Sequence, residues 1–270
     1  MTRRMPRWVA GVIGLVALIL AWWVFSLTVF TPAEGTTYTP VPTPVAVVDW
    51  MLFQGNIGTL WTVFQPTLAA AGIGYLWGNG LALVLAALVL LLPRLEGLIT
   101  QVAVVTYCLP IVAIGGISIA VLGGAKRPGD PSSTAIFLAA LSIFFTTVVG
   151  TLLGFRSADR ASLDLVRVYG GSAWDQLVKV RLIAALPAIL NALQIAVPSA
   201  FLGAVLGEYM GGTDRSVGAI LIMYQGNLNS TAVWAVFLLS ALVAFAGYAL
   251  VGLLSRIVTP WVSGGTGERS

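Results

Sequence analysis

Long uncharged apolar stretches alternate with short polar ones along most of this chain. Six of the apolar stretches are each long enough to cross about 30 Å of hydrocarbon as a helix, which takes roughly 20 residues. Their hydrophobicity is continuous rather than alternating, and this favours membrane helices over a β-barrel. The predicted spans are residues 8–30, 66–92, 98–122, 134–155, 188–206 and 232–254.

The segments between the predicted spans differ in kind. Residues 31–44 hold four prolines and predict an extended loop, whereas the mixed polar and apolar residues 45–65 predict an interfacial helix. The segments 123–133 and 208–231 are polar and rich in glycine, and predict loops. The first span is longer than the apolar core of a cleaved signal peptide, about 7–15 residues, so we expect it to be retained.

Two features inside the spans carry structural predictions. Pro110 interrupts the third span, and we expect a kink there because proline removes a backbone hydrogen bond. Gly74 and Gly78 have the spacing of small residues that lets membrane helices approach closely, so we expect them to pack against a neighbouring helix.

Composition and charge support a multi-pass membrane protein and orient it. The chain is 58% hydrophobic and 9% charged, with a mean hydropathy of +0.95, whereas soluble domains carry about 25% charged residues. Six spans place both termini on one side. With the N-terminus inside, 11 of the 14 basic residues lie in inner segments. Because basic residues collect on the cytoplasmic side, both termini and residues 156–187 are predicted to be cytoplasmic.

The residue inventory excludes several kinds of site. There is no histidine, which removes His-based catalytic triads and zinc motifs, and the single cysteine rules out an internal disulfide. Cys108 lies in an apolar run, where we expect a buried packing role. The net charge of +4 comes from scattered basic residues, so no nucleic-acid partner is expected. No phosphate-binding Gly-x-x-x-x-Gly-Lys-Ser/Thr motif occurs, so we expect no ATP site and no cofactor in this chain.

The polar residues 164–187 separate the fourth span from the fifth. Asp164 to Tyr169 suits one short helix, which Gly170 and Gly171 end. Ser172 and Asp175 are spaced as a capping box for a second helix, running to about residue 181, after which Pro187 marks the fifth span. Its apolar face would comprise Trp174, Leu177 and Val180. Such a segment either lies on the membrane surface or docks into a groove of another protein, and the helix–glycine–helix layout favours docking.

This segment resembles the EAA loop of ABC importer membrane subunits, the binding-protein-dependent permeases. Asp164-Leu-Val stands at the Glu-Ala-Ala triplet, Gly170 at the motif glycine, and residues 180–183 at the apolar-x-Leu-Pro end. The departures are Asp-Leu-Val in the triplet and Ile183 in place of proline. Further positions resemble the nitrate/sulfonate/taurine branch: Tyr169, Gly170, Ser172, Trp174, residues 185–187 and residues 207–212.

The resemblance implies an all-α membrane protein of six transmembrane helices with the type I importer permease fold and a MetI-like core. Residues 1–62 would form an N-terminal helix and extracytoplasmic loop, 63–258 the permease core with a coupling loop at 156–187, and 259–270 a cytoplasmic tail. The chain would be a non-enzymatic transport subunit of the bacterial inner membrane, surrounded by lipid. Its implied partners are a cytoplasmic ABC ATPase dimer, a second and identical permease subunit, and an extracytoplasmic solute-binding protein.

The ATPase would bind residues 164–182, and helices on either side of Gly170 would act as coupling helices. The solute would be a small organic anion or similar nutrient, such as a sulfonate, taurine, nitrate or a pyrimidine. The residues implied in ATPase coupling are Asp164, Arg167, Tyr169, Gly170, Gly171, Ser172, Trp174 and Leu177.

Polar side chains within or next to the spans are the candidates for the solute pathway. Such residues are costly in hydrocarbon, so they face water or bond to other helices, and bonding between helices is the plainer interpretation. Glu208 would either line the outer gate or lie solvated in a loop. A secondary transporter is the alternative function; it would predict inverted repeats and intramembrane ionisable residues, and neither is evident. The candidates inside the spans are Asn79, Gln101, Thr106, Ser118, Thr146, Thr147, Asn191, Gln194 and Ser199. The solute-pathway set chosen from them, with Glu208 added, is Thr106, Thr146, Asn191, Gln194 and Glu208.

Overall fold

The computed structural model describes residues 6–30, 38–211 and 215–263, and within them the chain is helical and contains no strand. Short π-helical turns at Asp49–Phe53 and Leu177–Arg181 and a 3₁₀ turn at Pro93–Leu95 adjoin the α-helices. The α-helices are α1 Arg7–Thr28, α2 Pro44–Val48, α3 Ile57–Leu91, α4 Glu96–Cys108, α5 Ile111–Leu122, α6 Ser133–Arg156, α7 Arg160–Val168, α8 Ala173–Gln176, α9 Leu182–Met210, α10 Val217–Gly226, α11 Ser230–Val258 and α12 Pro260–Ser263.

Within these described ranges, five helical stretches are long and apolar enough to cross a membrane: α1, α3, α6, the stretch ending in α9, and α11. The pair α4 and α5 passes the same test together, which makes up to six spans when the pair counts as one. The predicted all-α membrane fold is therefore confirmed, with the third span in two pieces.

The third span is broken rather than kinked. Its two halves meet at an angle of 95°, with Leu109 in an extended conformation (ψ 132°) and Pro110 at ψ 111°. The residue before a proline is driven out of the helical region, and the proline itself donates no backbone hydrogen bond. Because Leu109 and Pro110 are both non-helical, α4 ends at Cys108 and a separate helix, α5, begins at Ile111. The sequence predicted only a kink, whereas the helix is broken.

The predicted interfacial helix at residues 45–65 was too long. Only Pro44–Phe53 is a separate helical element, and the helix α3 already begins at Ile57. Leu60 and Phe64 are fully buried four residues apart, so they extend the packed face of α3 beyond Pro66. At 35 residues α3 is about 52 Å long, well beyond the thickness of the hydrocarbon core.

Two predictions around the fifth span were wrong. The helix containing it runs without interruption from Ala173 to Met210, so Pro187 lies inside the helix instead of marking its start. The predicted loop at 208–231 holds the last turn of α9 and the whole of α10. The glycine content of residues 208–231 predicted a loop, but the apolar residues Val217–Gly226 form a helix.

The predicted close approach at Gly74 and Gly78 is confirmed. A Cβ atom at Gly74 would lie 2.5 Å from Ala139 Cβ, and one at Gly78 would lie 2.6 Å from the backbone oxygen of Ala140. Both glycines of α3 therefore contact the backbone of α6 directly, as small-residue packing in membranes requires.

The chain divides into two compact units. The first comprises Met1–Thr62 and Ile220–Ser240, in which Trp22 stacks on Trp234 at 5.2 Å and donates to Pro42 O at 3.1 Å. The second comprises Val63–Ala219 and Ala241–Ser270 and holds the core. Its buried cluster joins α3, α4, α6 and α9, and the predicted coupling segment lies on this unit.

Candidate functional site

The polar segment after α6 folds as predicted into a short helix, a glycine turn and a second helix. Asp159 caps α7 by accepting a hydrogen bond from the backbone N–H of Ser162 at 3.1 Å. Gly170 ends the turn with a φ of +77°, a left-handed conformation that favours glycine. The N–H of Gly171 then donates to Val166 O at 2.8 Å, which closes the turn tightly.

The predicted capping box at the start of α8 is confirmed. The N–H of Asp175 donates to Ser172 Oγ at 3.2 Å, and the N–H of Ser172 donates to the Asp175 carboxylate at 2.9 Å. Lys179 reaches the same carboxylate at 2.7 Å. The hydrogen bonds from Lys179 and Ser172 hold the pKa of Asp175 well below its usual range. The carboxylate therefore stays ionised and fixes the helix start.

Three large apolar side chains next to the glycine turn are exposed: Val168, Tyr169 and Trp174. We call these three residues the apolar knob. Tyr169 is 84% exposed, Val168 82% and Trp174 60%. Asp164 and Arg167, on the charged part of α7, are exposed as well. The implied coupling residues are therefore exposed or half-buried, with one exception.

That exception is Leu177, which is only 5% exposed and belongs to the buried cluster with Phe144 and Ile189. Trp174, Leu177 and Val180 therefore do not form the single apolar face that their spacing predicted. The π-helical turn Leu177–Arg181 is wider than an α-helical turn and changes the register of the side chains there. Leu177 anchors the knob in the core instead of adding to its surface.

A second site opens at the break between α4 and α5. A cavity of about 390 Å³ lies there, bounded by α4, α5, α6 and α9. Its lining combines three hydroxyl groups and a phenol with apolar side chains and contains no charged residue: Thr106, Tyr107, Leu109, Ile111, Leu141, Ser142, Ser199, Leu202 and Leu206.

Of the predicted pathway residues, Thr106 and Ser199 line this cavity. Thr146 is half-buried on α6, one turn from the lining residue Ser142, and Asn191 is exposed on α9, two turns from the lining residue Ser199. The amide of Gln194 packs against Gly252 of α11. Tyr107 and Ser142 were missed, although the helical spacing from Thr146 pointed to the face that carries Ser142.

Glu208 is neither a solvated loop residue nor an exposed gate residue, because it is 1% exposed in the last turn of α9. Its Oε2 accepts hydrogen bonds from Thr67 Oγ1 at 2.8 Å and from the N–H of Gly218 at 3.2 Å. Cys108, predicted to be buried, is exposed at the end of α4, because the break ends the helix beside it. In the described ranges no group of three or more His, Cys, Asp or Glu side chains could hold a metal ion.

Residues 78–260 match the model of a protein family described as binding-protein-dependent transport system inner membrane component. A probable ABC transporter permease protein of Haemophilus influenzae is 28% identical over 218 residues, covering 80% of this chain and 85% of that protein. A putative aliphatic sulfonates transport permease protein of Bacillus subtilis is 28% identical, with 96% and 90% covered. The riboflavin transport system permease protein of Chloroflexus aurantiacus is 25% identical, with 90% and 87% covered.

Solved structures of importers share the fold. A chain of a bacterial ABC transporter for the acidic polysaccharide alginate superposes with a TM-score of 0.61 at 15% identity, covering 93% of this chain and 96% of that chain. A chain of the MetNI methionine ABC transporter in an inward-facing conformation gives 0.58 at 17% identity, covering 78% and 97%. These likenesses confirm the predicted type I importer permease fold.

Proposed function

The chain belongs to the family of binding-protein-dependent transport system inner membrane components, and we propose on that basis that residues 164–182 couple it to a separate ATPase. It is the membrane-spanning permease subunit of an ABC importer, of the branch that includes the sulfonate and nitrate permeases. The observation that carries the coupling proposal is the exposed knob of Val168, Tyr169 and Trp174.

The knob has the properties of a docking surface. Large apolar side chains that are exposed in water mark contacts with a partner, and these three stand outside the spans predicted at 134–155 and 188–206. The turn beneath them is fixed by Gly170 and the capping box, so little conformational freedom is lost on binding. Leu177 ties the same segment to the buried cluster, so a force on the knob acts directly on the helices of the core.

The exposed charged residues beside the knob indicate which charges the partner surface would carry. Asp164 is exposed and forms no ion pair within the described residues, and the same holds for Arg160 and Arg167. We propose that Asp164 forms an ion pair with a basic residue of the ATPase. Arg160 and Arg167 would pair with acidic residues of the ATPase next to that basic residue. Such pairs set the orientation of docking more than its strength.

The orientation follows from the distribution of basic residues. Eleven of the 14 lie in the segments on the side of the polar segment, so both termini and the ATPase dimer are cytoplasmic. The binding protein then meets the opposite side, and a second, identical permease subunit completes the pathway. ATP hydrolysis belongs to the ATPase, because this chain has no phosphate-binding loop.

We assign the solute pathway to the cavity at the break between α4 and α5. Interrupted membrane helices expose backbone groups at the site of the interruption, and here the first N–H groups of α5 follow Pro110. Thr106, Ser142 and Ser199 line the cavity next to apolar walls, and their hydroxyl protons are donated to the backbone oxygens of the preceding helical turn. We propose a small organic anion or a polar ring as the solute, in keeping with the sulfonates and riboflavin in the names of two relatives.

Reconstitution of the permease in nanodiscs with its ATPase and binding protein tests the coupling. A short alkanesulfonate, nitrate and a pyrimidine serve as probe solutes. We expect ATP hydrolysis stimulated by the loaded binding protein to fall at least tenfold in Trp174→Ala and Asp164→Arg, because both lie on the docking surface. Phe53→Ala is the matched control, since Phe53 is 80% exposed but lies far along the chain from the knob. Uptake by the permease alone, driven by an ion gradient, would contradict the proposal.

A further inference from the structure

Glu208 is a buried acidic residue that neither the docking surface nor the cavity uses. It is the only fully buried charged side chain in the part of the chain that the structure describes. An ionisable group at apolar depth is costly unless it is hydrogen-bonded, and such residues tend to be functional. Its partners therefore indicate what it does.

Those partners come from two other helices. Thr67 of α3 donates its hydroxyl to Glu208 at 2.8 Å, and Gly218, in the first turn of α10, donates its N–H at 3.2 Å. Thr67 Oγ1 in turn accepts the N–H of Val217 at 3.1 Å. The start of a helix leaves such N–H groups without partners in its own turn, and here two side chains from α3 and α9 supply them. We call these four residues the Glu208 joint: Thr67, Glu208, Val217 and Gly218.

The joint is closely packed as well as hydrogen-bonded. A Cβ atom at Gly218 would lie 2.4 Å from the backbone nitrogen of Tyr209 and 2.6 Å from Glu208 Cβ, so only glycine fits. The first turn of α10 therefore rests directly on the last turn of α9, and a movement of either must displace the other.

The helix that carries Glu208 also carries the docking surface. It runs unbroken for 38 residues from Ala173 to Met210, about 57 Å at 1.5 Å per residue. The capping box of Ser172 and Asp175 fixes its first turn, and the Glu208 joint holds its last. One continuous element thus connects the proposed ATPase contact with α3 and the start of α10.

We propose that the Glu208 joint transmits displacement of this helix to α3 and α10, which makes Glu208 and Thr67 positioning residues for the transport cycle. The inference rests on the proposed ATPase coupling. It assigns the far end of the helix a mechanical role: ATPase-driven movement at residues 164–182 reaches α3 through the carboxylate and the hydroxyl, and the start of α10 through the packing at Gly218.

Hydrogen exchange in the assembled importer tests this without knowledge of the solute. The complex in nanodiscs is compared with and without a non-hydrolysable ATP analogue, at the near end (amides of residues 164–182) and at the far end (amides of residues 68–71, the α3 turn that follows Thr67). In the wild type we expect both ends to respond. Thr67→Val keeps the shape of the side chain but removes the hydroxyl, so the near-end response should persist while the far-end response falls at least threefold. Thr67→Ser keeps the hydroxyl and should behave as the wild type.

The outcomes separate the two proposals. A far-end response in Thr67→Val equal to that of the wild type overturns the joint but leaves ATPase coupling intact. A wild-type complex whose near end does not respond contradicts the coupling, and the joint with it. If Thr67→Val does not assemble, Thr67→Ala removes the same hydroxyl with a smaller side chain and leaves Glu208, Val217 and Gly218 in place. Its far-end response must then fall in the same way, and an unchanged response overturns the joint.

Discussion

The hydrogen bond from Thr147 to Asn79 is a buried polar contact between two spans. Thr147 Oγ1 donates to Asn79 Oδ1 at 2.6 Å, which links α6 to α3. Both side chains are almost fully buried, so neither can exchange its partner for water. Bonding between helices, the plainer interpretation of polar residues in spans, is what these two residues do.

Thr147→Val should lower the free energy of unfolding by about 1 kcal/mol, because it leaves the Asn79 carbonyl oxygen buried without a donor. Unfolding in mixed detergent, followed by tryptophan fluorescence, measures the change. Thr146→Val is the control: Thr146 is the adjacent, half-buried residue and should shift the free energy by less than about 0.5 kcal/mol. Equal effects of the two substitutions would argue against the importance of the hydrogen bond.

Individual residues show which features could be predicted from the sequence and which could not. The capping box of Ser172 and Asp175 was predictable because its chemistry is local to four residues. The burial of Leu177 and Glu208 and the exposure of Cys108 were not, because burial depends on which other helices pack there. The role of Glu208 required the positions of Thr67 and Gly218, which lie 141 and 10 residues away along the chain.

Helix α3 contains glycines that meet different surroundings. A Cβ atom at Gly78 would lie 2.6 Å from the backbone oxygen of Ala140, whereas one at Gly80 would meet nothing within 4 Å. The two positions are two residues apart in the same helix, so their intrinsic helix propensities are matched and only the contact with α6 differs.

Gly78→Ala should therefore destabilise the protein by about 1–3 kcal/mol, because the added methyl group forces the backbones of α3 and α6 apart. Gly80→Ala should be neutral or stabilising by up to about 1 kcal/mol, the ordinary gain from replacing glycine inside a helix. The same detergent unfolding assay compares them. A loss of stability in Gly80→Ala as large as that in Gly78→Ala would show that propensity or lipid contact, rather than helix packing, governs these sites.

At the scale of the whole molecule, the number of spans followed from the length of the apolar runs, since hydrocarbon thickness fixes how many residues a helix needs. The positions at which helices break could not be predicted from the apolar runs. Pro110 breaks its helix while Pro187 and Pro198 lie within α9, because surrounding helices decide whether the lost hydrogen bond is tolerated. The cavity depends on that break, so its lining could be only partly predicted.

Cys108 offers a direct test of whether the cavity belongs to the aqueous pathway. It is the only cysteine of the chain, it is exposed, and its neighbours Tyr107 and Leu109 line the cavity. A charged, membrane-impermeant thiol reagent should therefore modify Cys108 in the assembled importer. The rate should change at least threefold when a non-hydrolysable ATP analogue is added, because alternating access opens the pathway to one side at a time. Cys108→Ser should abolish labelling, and reaction with lipophilic maleimides alone would place Cys108 against lipid and contradict the assignment of the pathway to this cavity.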